Sequence, residues 1–238
     1  MVMNDAKIIA LTQPILSAWE TGTESPIGAE AFIAYTARVS NPSNQSNTLT
    51  APKLLKYLIE HKHWSPFEMV SITMEINTTR DISHQIIRHR SFSFQEFSQR
   101  YADPTKDMKF VTREARLQDA KNRQNSIEIE DKYAVDVELN PVPLKDAWNI
   151  EQNRLAEKAQ SIYKWAIEQG IAKEQARAVL PEGLTTTRLY MSGTLRSWIH
   201  YIDVRAEEGT QKEHRQIALS AQKEILQHFP SLREYWQE

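Results

Sequence analysis

The feature that most constrains the fold is a run of strict alternation from Phe67 to Ile76, followed at once by a helical pattern from Thr79 to Arg88. Alternation of this length is typical of a strand with one buried face. The apolar face of this strand is formed by Val70, Ile72, Met74 and Ile76. The helical side chains expected to be buried are Ile82, Ile86 and Ile87. The chain must therefore combine sheet and helix in one core.

The rest of the chain shows the same mixture of periods. Further strands are predicted at Lys7–Leu11 and Thr185–Met191. Helices are predicted at Pro26–Ser40, Ala51–His61, Pro141–Gln169, Lys173–Leu180, Thr194–Ala206 and Thr210–His228. The core side of the helix from Pro141 is expected to contain Trp148, Leu155, Ala159, Ile162, Trp165 and Ala166. These patterns predict a single α+β domain spanning residues 1–238.

One segment, Arg113–Asn140, interrupts this pattern because it is highly charged and contains few large apolar residues. Such a segment buries too little apolar surface to form a core of its own. We therefore interpret residues 113–140 as a surface insertion in the domain.

The composition excludes several classes of function. The chain carries 29 basic and 31 acidic residues, and this near-neutral balance gives no reason to expect a nucleic-acid polymer or a membrane as partner. It has no cysteine, so disulfides, thiolate metal sites and cysteine nucleophiles are excluded. Neither a signal peptide nor an apolar run of about 20 residues is visible, so we expect a cytoplasmic protein.

A dense cationic cluster follows the helix that ends at Arg88. Arg88, His89, Arg90 and Arg100 place four potential cations within 13 residues, with only Glu96 as an acidic neighbour. A solvated basic face is the ordinary explanation for such a cluster. Here, however, every permanently positive side chain is an arginine and none is a lysine. The planar guanidinium of arginine suits bidentate recognition of phosphate. The cluster therefore indicates a small anionic ligand.

Two further groups of cations lie downstream. Arg177 occurs in an apolar segment, and Arg196, His200 and Arg205 lie on one predicted helix. The alternative for Arg177 is a structural ion pair. The alternative for Arg205 is favourable placement at the negative end of the helix dipole.

His63 is a separate candidate because it precedes the turn at Ser65–Pro66. A lone histidine beside a turn is more often a satisfied surface or core residue. His61 and His63 have no third ligand at metal spacing, so no metal site is predicted. The sequence also contains no G-x-G-x-x-G, P-loop or G-x-S-x-G motif. Side chains, and arginines above all, must therefore hold any phosphate.

These residues resemble the signature of the flavin-dependent thymidylate synthases, which reads R-H-R-x-x-S-x-N-E-x-S-x-R-Y. The matching positions are Arg88, His89, Arg90, Ser93, Glu96, Ser98, Arg100 and Tyr101. Gln95 stands where asparagine is usual, and Thr194 and His200 also stand where many members carry asparagine. Outside the signature, the similar positions are Ala37–Ser40, His63–Glu68, Gln85, Ala176–Pro181, Leu195–Ser197 and Arg205. The resemblance spans roughly Ala31 to Leu219.

The resemblance implies a central mixed or antiparallel sheet flanked by helices, and a homotetramer that binds FAD where subunits meet. It implies dUMP, methylenetetrahydrofolate and NADPH as substrates. The residues expected to face FAD are Ser40, His63, Ser65, Arg88, His89, Arg90, Glu96, Arg196 and His200. Those expected to face dUMP are Gln85, Arg88, Glu96, Ser98, Arg100, Arg177 and Arg205.

The absence of cysteine also bears on mechanism. Methylation of uracil requires its C5 carbon to become nucleophilic, and this chain has no thiolate that can add to the ring. The remaining route is electrostatic, through a cation near the uracil carbonyls, and Arg205 is the expected catalytic residue. Ser98 is interpreted as a phosphate ligand, together with Arg100 and Arg177, and FAD would supply the hydride.

The alternative is a non-catalytic module that binds a nucleotide or RNA through its arginine and phenylalanine side chains. The near-neutral charge argues against an RNA polymer as ligand.

Overall fold

The computed structural model describes residues 4–16, 27–103, 106, 109–135 and 140–236. Its strands are β1 (Asp5–Leu11), β2 (Ser71–Thr79), β3 (Ser93–Glu96), β4 (Arg116–Gln118), β5 (Ser126–Glu128), β6 (Tyr133–Val135), β7 (Pro141–Pro143) and β8 (Thr186–Thr194). Its α-helices are α1 (Ala29–Ala37), α2 (Ala51–Glu60), α3 (Arg80–Ile86), α4 (Leu144–Glu168), α5 (Lys173–Ala176), α6 (Leu195–Arg205) and α7 (Lys212–His228). Short 3-10 turns lie at Pro42–Asn44, Ser65–Met69, Arg177–Val179 and Pro230–Leu232. The predicted α+β class is confirmed.

A four-stranded sheet in the order β1-β2-β8-β3 forms the centre of the fold, and its pairs are all antiparallel. β2 and β8 pair along their whole length, from Ser71 opposite Thr194 to Thr79 opposite Thr186. The antiparallel form of the expected central sheet is therefore confirmed. Because α6 begins directly after β8, the end of this strand fixes where that helix starts.

The predicted alternation of β2 is confirmed, since Val70, Ile72, Met74 and Ile76 are all fully buried. The strand begins later than predicted, at Ser71, because Pro66 lies in the 3-10 turn Ser65–Met69. Proline fixes φ and has no N–H for a strand ladder, which favours a turn at this position.

The helices and the sheet share one main core. α7 packs against β1, and α6 packs against the turn at Ser65–Met69. The indole N–H of Trp198 in α6 donates to the carbonyl of Ile72 in β2 over 3.1 Å, which ties this helix to the sheet. Among the helices that the structure describes, none is long and apolar enough to cross a bilayer.

The helix boundaries differ slightly from the predicted ones. Pro26, the predicted start of the first helix, lies outside the described residues, and α1 begins at Ala29. Ile82 and Ile86 are buried as predicted, but Ile87 is 40% exposed. The reason is that α3 ends at Ile86, so Ile87 follows the turn that leaves the core.

The burial of α4 was predicted wrongly for its largest side chains. Trp148, Leu155 and Trp165 are 45%, 53% and 56% exposed. The buried stripe instead contains Gln152, Ala156, Ala159, Tyr163 and Ala166, so the predictions for Ala159 and Ala166 are confirmed. This stripe consists mainly of small side chains, and the bulky residues of α4 lie on its open side. Gly170, with φ of 80°, follows the helix in the left-handed region that favours glycine.

The predicted insertion is joined to the rest of the fold at its beginning. The side-chain oxygen of Gln152 accepts from the Arg113 amide over 2.8 Å, and its nitrogen donates to the Arg113 carbonyl over 2.9 Å. Arg113 and Arg116 both reach Glu213 in the first turn of α7. From Arg116 the segment carries the small hairpin of β4 and β5, and a surface insertion remains the prediction for residues 113–140. Residues 136–139 lie outside the described ranges.

Candidate nucleotide site

The loop between α3 and β3 carries the Arg88–Arg90 cluster and is held in place by Phe92. The Phe92 ring meets Trp198 edge to face with ring centroids 4.9 Å apart. It also lies so close to Gly193 that a Cβ atom there would collide with the ring. Glycine at this position in β8 therefore lets the loop pack against the sheet.

Arg205 and His89 form the centre of the site. The Arg205 Nε–H donates to His89 Nε2 over 3.0 Å, so the accepting nitrogen carries no proton. Burial and, secondarily, the adjacent Arg205 charge lower the pKa of His89 to about 4. His89 is therefore neutral near pH 7 and orients the guanidinium without competing with its charge. In the described part of the chain, Arg205 makes no ion pair with a carboxylate.

Beside this pair lies a row of polar side chains that joins the predicted Gln85 to three residues that were not predicted from the sequence, His214, Tyr201 and Gln211. His214 contacts Gln85 Oε1 through Nδ1 at 3.2 Å and the Tyr201 hydroxyl through Nε2 at 3.0 Å. Gln85 Nε2 donates to Gln211 Oε1 over 2.9 Å. The His89 ring meets Tyr201 edge to face at 4.9 Å, which joins this row to the Arg205–His89 pair.

Burial perturbs both titratable groups of this row. It lowers the pKa of His214 to about 3, with further lowering from Arg205 and His89, and it raises the pKa of Tyr201. Both groups are consequently neutral at pH 7. A usable sequence signal did exist for His214, because it precedes Ile217 and Ala218 at helical spacing on a buried face.

Arg88 and Arg90 are exposed, and within the described ranges neither makes an ion pair. Their loop touches the start of α6, where the Ser197 hydroxyl donates to the Ser91 carbonyl over 3.4 Å. Thr194 caps this helix by accepting from the Ser197 amide over 3.2 Å. Two unpaired guanidinium groups beside this loop suit an anionic group such as a diphosphate.

The other residues expected to face FAD lie near the turn at Ser65–Met69. His200 meets Trp64 edge to face, with ring centroids 4.9 Å apart. Arg196 forms an ion pair with Glu68, so its charge is already partly compensated. Ser40, His63 and Ser65 are exposed.

The residues expected to hold the phosphate of dUMP gather around Glu174. Arg100 Nε lies 3.5 Å from the Glu174 carboxylate, and Arg177 Nε donates to the Glu174 carbonyl over 3.3 Å. The Ser98 hydroxyl oxygen lies beside them and accepts from the Arg100 amide over 3.4 Å. Lys173, which was not predicted, adds a further cation by donating to the Tyr101 carbonyl over 3.0 Å.

The dUMP residues thus fall into two groups within one protomer. Gln85 and Arg205 belong to the row around His214, whereas Ser98, Arg100 and Arg177 surround Glu174. The two groups share no hydrogen bond or ion pair in the ranges that the structure describes. Glu96, expected to serve both ligands, instead accepts from Thr187 over 2.9 Å and lies 3.4 Å from Arg80.

A cavity of about 550 Å³ lies between the β4–β5 hairpin and α4. Gln211, Arg116 and Trp148 are among its lining residues, but none of the residues expected to face FAD or dUMP lines it. We therefore place the candidate site at the residues described above rather than in this cavity.

Fold and site define a class of protein, one that offers arginine and amide side chains rather than a glycine-rich loop to an anionic ligand. Comparison with known proteins then gives the family. Residues 24–231 match the family described as "Thymidylate synthase complementing protein". The chain belongs to this family, that of the flavin-dependent thymidylate synthases, so the resemblance stated from the sequence is confirmed.

Two relatives share 47% of their residues with this chain. One is a probable flavin-dependent thymidylate synthase of Paramecium bursaria Chlorella virus 1, aligned over 95% of this chain and 96% of the relative. The other is a flavin-dependent thymidylate synthase of Synechocystis sp., aligned over 96% and 97%. Both therefore match nearly the whole chain.

A solved structure has the same fold. It is the crystal structure of the UMP/dUMP methylase PolB from Streptomyces cacaoi bound with 5-Br dUMP, similar to this chain with a TM-score of 0.69 and 23% identity. The match covers 98% of this chain and 93% of the other. The assignment of individual residues to FAD or dUMP remains a prediction.

Proposed function

We propose that this protein is a cytoplasmic, FAD-dependent thymidylate synthase that methylates dUMP to dTMP. Methylenetetrahydrofolate is the carbon donor and NADPH is the reductant. The observation that carries the proposal is the hydrogen bond that holds Arg205 on the neutral His89, in a chain that has no cysteine. Family membership supports the same activity.

Activation of the uracil ring falls to Arg205. Negative charge spread over the ring and its carbonyl oxygens is stabilised by a fixed cation in surroundings with little water. The His89 hydrogen bond fixes the guanidinium at Nε, which leaves both terminal nitrogens to face the ring. Gln85 offers an amide to the same ring, since amides match the alternating donors and acceptors of a pyrimidine edge.

Ser98, Arg100 and Arg177 hold the phosphate of dUMP. Arg100 and Arg177 meet at Glu174, and Arg100 is more than half exposed, so both can turn toward a dianionic ligand. Lys173 adds positive charge next to them.

Arg88 and Arg90 hold the diphosphate of FAD, with His63, Ser65, Ser40, Arg196 and His200 around the rest of the cofactor. The unpaired guanidinium groups of the two arginines are the observation that fits this ligand. When bound, FAD supplies the hydride that completes the methyl group.

The proposed assembly is a homotetramer in which subunits complete one another's sites. The dUMP residues of one protomer form two separate groups, and most of the FAD residues are exposed, namely Ser40, His63, Ser65, Arg88, Arg90 and His200. A binding site whose residues are spread in this way is completed when a second copy of the chain packs against it and contributes the missing side.

The flavin spectrum of the purified protein tests this function. An absorption spectrum of bound flavin, or a rise in melting temperature when FAD is added, is the expected result. A colourless protein that FAD does not stabilise, and that retards RNA on gels, would instead favour the nucleotide- or RNA-binding module.

A further inference from the structure

A row of directional hydrogen bonds leads from the beginning of the insertion to Gln85. It starts at Glu213, whose two carboxylate oxygens accept from Arg116 Nη2 over 2.8 and 2.9 Å. The Arg113 guanidinium lies 3.7 Å from the same carboxylate. Burial raises the pKa of Glu213, but its own backbone amide, Gln211 and the two arginines outweigh burial and hold that pKa below its usual range. Glu213 is therefore a carboxylate at neutral pH, and a carboxylate can only accept hydrogen bonds.

This fixed acceptor sets the direction of the next two amides. Gln211 must turn its nitrogen toward Glu213 Oε2, at 3.0 Å, and hence its oxygen toward Gln85. Gln85 must in turn present its nitrogen to Gln211 Oε1, at 2.9 Å, and its oxygen to His214. Turning either amide over would bring two acceptors or two donors face to face, which costs the hydrogen bond and leaves buried groups unsatisfied.

The other end of the row adapts to this direction and does not set it, because a neutral histidine can take either tautomer and a tyrosine hydroxyl can donate or accept. His214 is fully buried and neutral, so one ring nitrogen donates and the other accepts. With Gln85 Oε1 accepting at Nδ1, the Tyr201 hydroxyl donates to Nε2 over 3.0 Å. Burial raises the pKa of Tyr201, which keeps the hydroxyl proton that this bond requires. The orientation of the Gln85 amide is therefore set from the Glu213 end, and His214 and Tyr201 complete the row in the tautomer that fits it.

We propose that Glu213, acting through Gln211, fixes the Gln85 amide in one orientation so that the site accepts uracil and rejects cytosine. Glu213 and Gln211 are positioning residues in this account. The proposal rests on the proposed function, because it takes the pyrimidine of the nucleotide to bind at Gln85.

The amide can discriminate between the two bases because uracil and cytosine present opposite hydrogen-bonding patterns at N3 and C4. Uracil presents an N3–H donor next to the O4 acceptor, whereas cytosine presents an N3 acceptor next to a 4-amino donor. An amide that rotates freely can pair with either edge by exchanging its oxygen and nitrogen. An amide whose nitrogen must donate to Gln211 keeps one donor–acceptor order, and the wrong base then meets like groups.

The direct test replaces Glu213 by glutamine, which has nearly the same shape but can donate as well as accept. Binding of dUMP and of dCMP to the flavin-loaded protein is measured by calorimetry for the wild type and for Glu213→Gln. Two-point recognition of a base typically provides roughly 5- to 150-fold discrimination. The preference for dUMP over dCMP is expected to fall by about tenfold or more in the variant. Glu207→Gln, the same change at an exposed position before α7, should leave the preference unchanged.

Gln211→Met provides a second variant that does not depend on replacing Glu213. It interrupts the row but keeps the Arg116–Glu213 ion pair, so the fold retains that contact. It should reduce the preference for dUMP in the same way. Thermal unfolding of each variant verifies that it is folded before binding is compared.

The outcomes separate this proposal from the proposed function. Folded variants that bind dUMP and dCMP with the wild-type ratio would overturn the proposal, as would an equal loss of affinity for both nucleotides. A flavin-loaded wild-type protein that binds no dUMP would instead overturn the proposed function.

Discussion

At the scale of single residues, the account depends on charged groups whose neighbours leave them free for a ligand. Arg205 is oriented by a neutral histidine, and Arg88 and Arg90 have no ion pair among the described residues. Arg196, by contrast, is already paired with Glu68. The arginines of this site therefore differ in whether a carboxylate already neutralises them, and not in residue type.

Replacement of Arg205 by alanine should leave a folded, flavin-binding protein whose dTMP formation falls by a factor of roughly 100 or more, since one preorganised charge-stabilising donor is lost. Turnover is measured at saturating dUMP. Arg205→Lys should recover little, because an ammonium group does not reproduce the planar contact of a guanidinium. If Arg205 only completes the helix dipole, the variant would lose about 0.3–1 kcal/mol of stability and keep its turnover.

The histidines of the site predict a pH dependence of stability. The pKa values of His89 and His214 lie near 4 and 3 in the folded protein, against a usual 6.5. Between about pH 6.5 and 4 the unfolded chain thus binds more protons than the folded one, so stability falls as the pH is lowered through this range. As the pH is lowered through this range, the melting temperature of the wild type should fall more steeply than that of His89→Gln. Parallel curves would show that His89 is not held neutral.

The chemistry of each side chain decided whether the sequence alone could identify it as a site residue. The arginines of the Arg88–Arg100 cluster were recognisable because clustered guanidinium groups with a single acidic neighbour indicate an anionic ligand. His214 lies on the buried helical face of Ile217 and Ala218, and this signal was passed over because a polar residue in such a stripe is usually part of the core, as is a tyrosine such as Tyr201. The partner of His214 is Gln85, which is 129 residues away and adjacent only after folding. Glu96 was singled out from the motif, but its contacts with Arg80 and Thr187 depend on the sheet.

At the scale of elements, periodicity predicted where helices and strands occur better than which face they bury. β2 alternates as expected because both of its flanking strands and the helices constrain it. α4 differs because its contact face consists of three alanines with Gln152 and Tyr163, while its tryptophans are exposed. A hydrophobicity pattern records which side chains are apolar and does not show which neighbour will cover them.

The insertion and α7 are coupled through the Arg116–Glu213 pair. Each of these side chains is only 11% exposed, and removal of one partner leaves a buried charge. Arg116→Ala should therefore lower the free energy of unfolding by about 3 kcal/mol, measured by denaturant titration. Arg123→Ala is the matched control, since Arg123 is exposed in the same segment and should change stability by less than about 0.5 kcal/mol. Equal effects of the two variants would contradict the coupling.

At the scale of the whole molecule, one protomer leaves large apolar side chains uncovered. Trp148, Leu155 and Trp165 are exposed on α4, whereas the buried face of that helix is formed mainly by alanines with Gln152 and Tyr163. Exposed aromatic and aliphatic groups of this size mark surfaces that another protein covers. The same protomer also divides the expected dUMP residues into two groups, which the proposed tetramer would bring together.

The tetramer predicts a particular mass in solution. Four chains of 27.6 kDa make a particle of about 110 kDa, which light scattering on the flavin-loaded protein measures directly. A stable monomer that converts dUMP at full rate would contradict the shared sites.

The central claim is the conversion of dUMP to dTMP without an enzyme thiolate. The most direct measurement follows an isotopic label from the methylene carbon of methylenetetrahydrofolate into dTMP, with the flavin-loaded protein, NADPH and dUMP present. The account predicts labelled dTMP whose formation requires FAD and is strongly reduced in Arg205→Ala. No labelled dTMP from a folded, flavin-loaded protein, or equal yields from the wild type and Arg205→Ala, would contradict it.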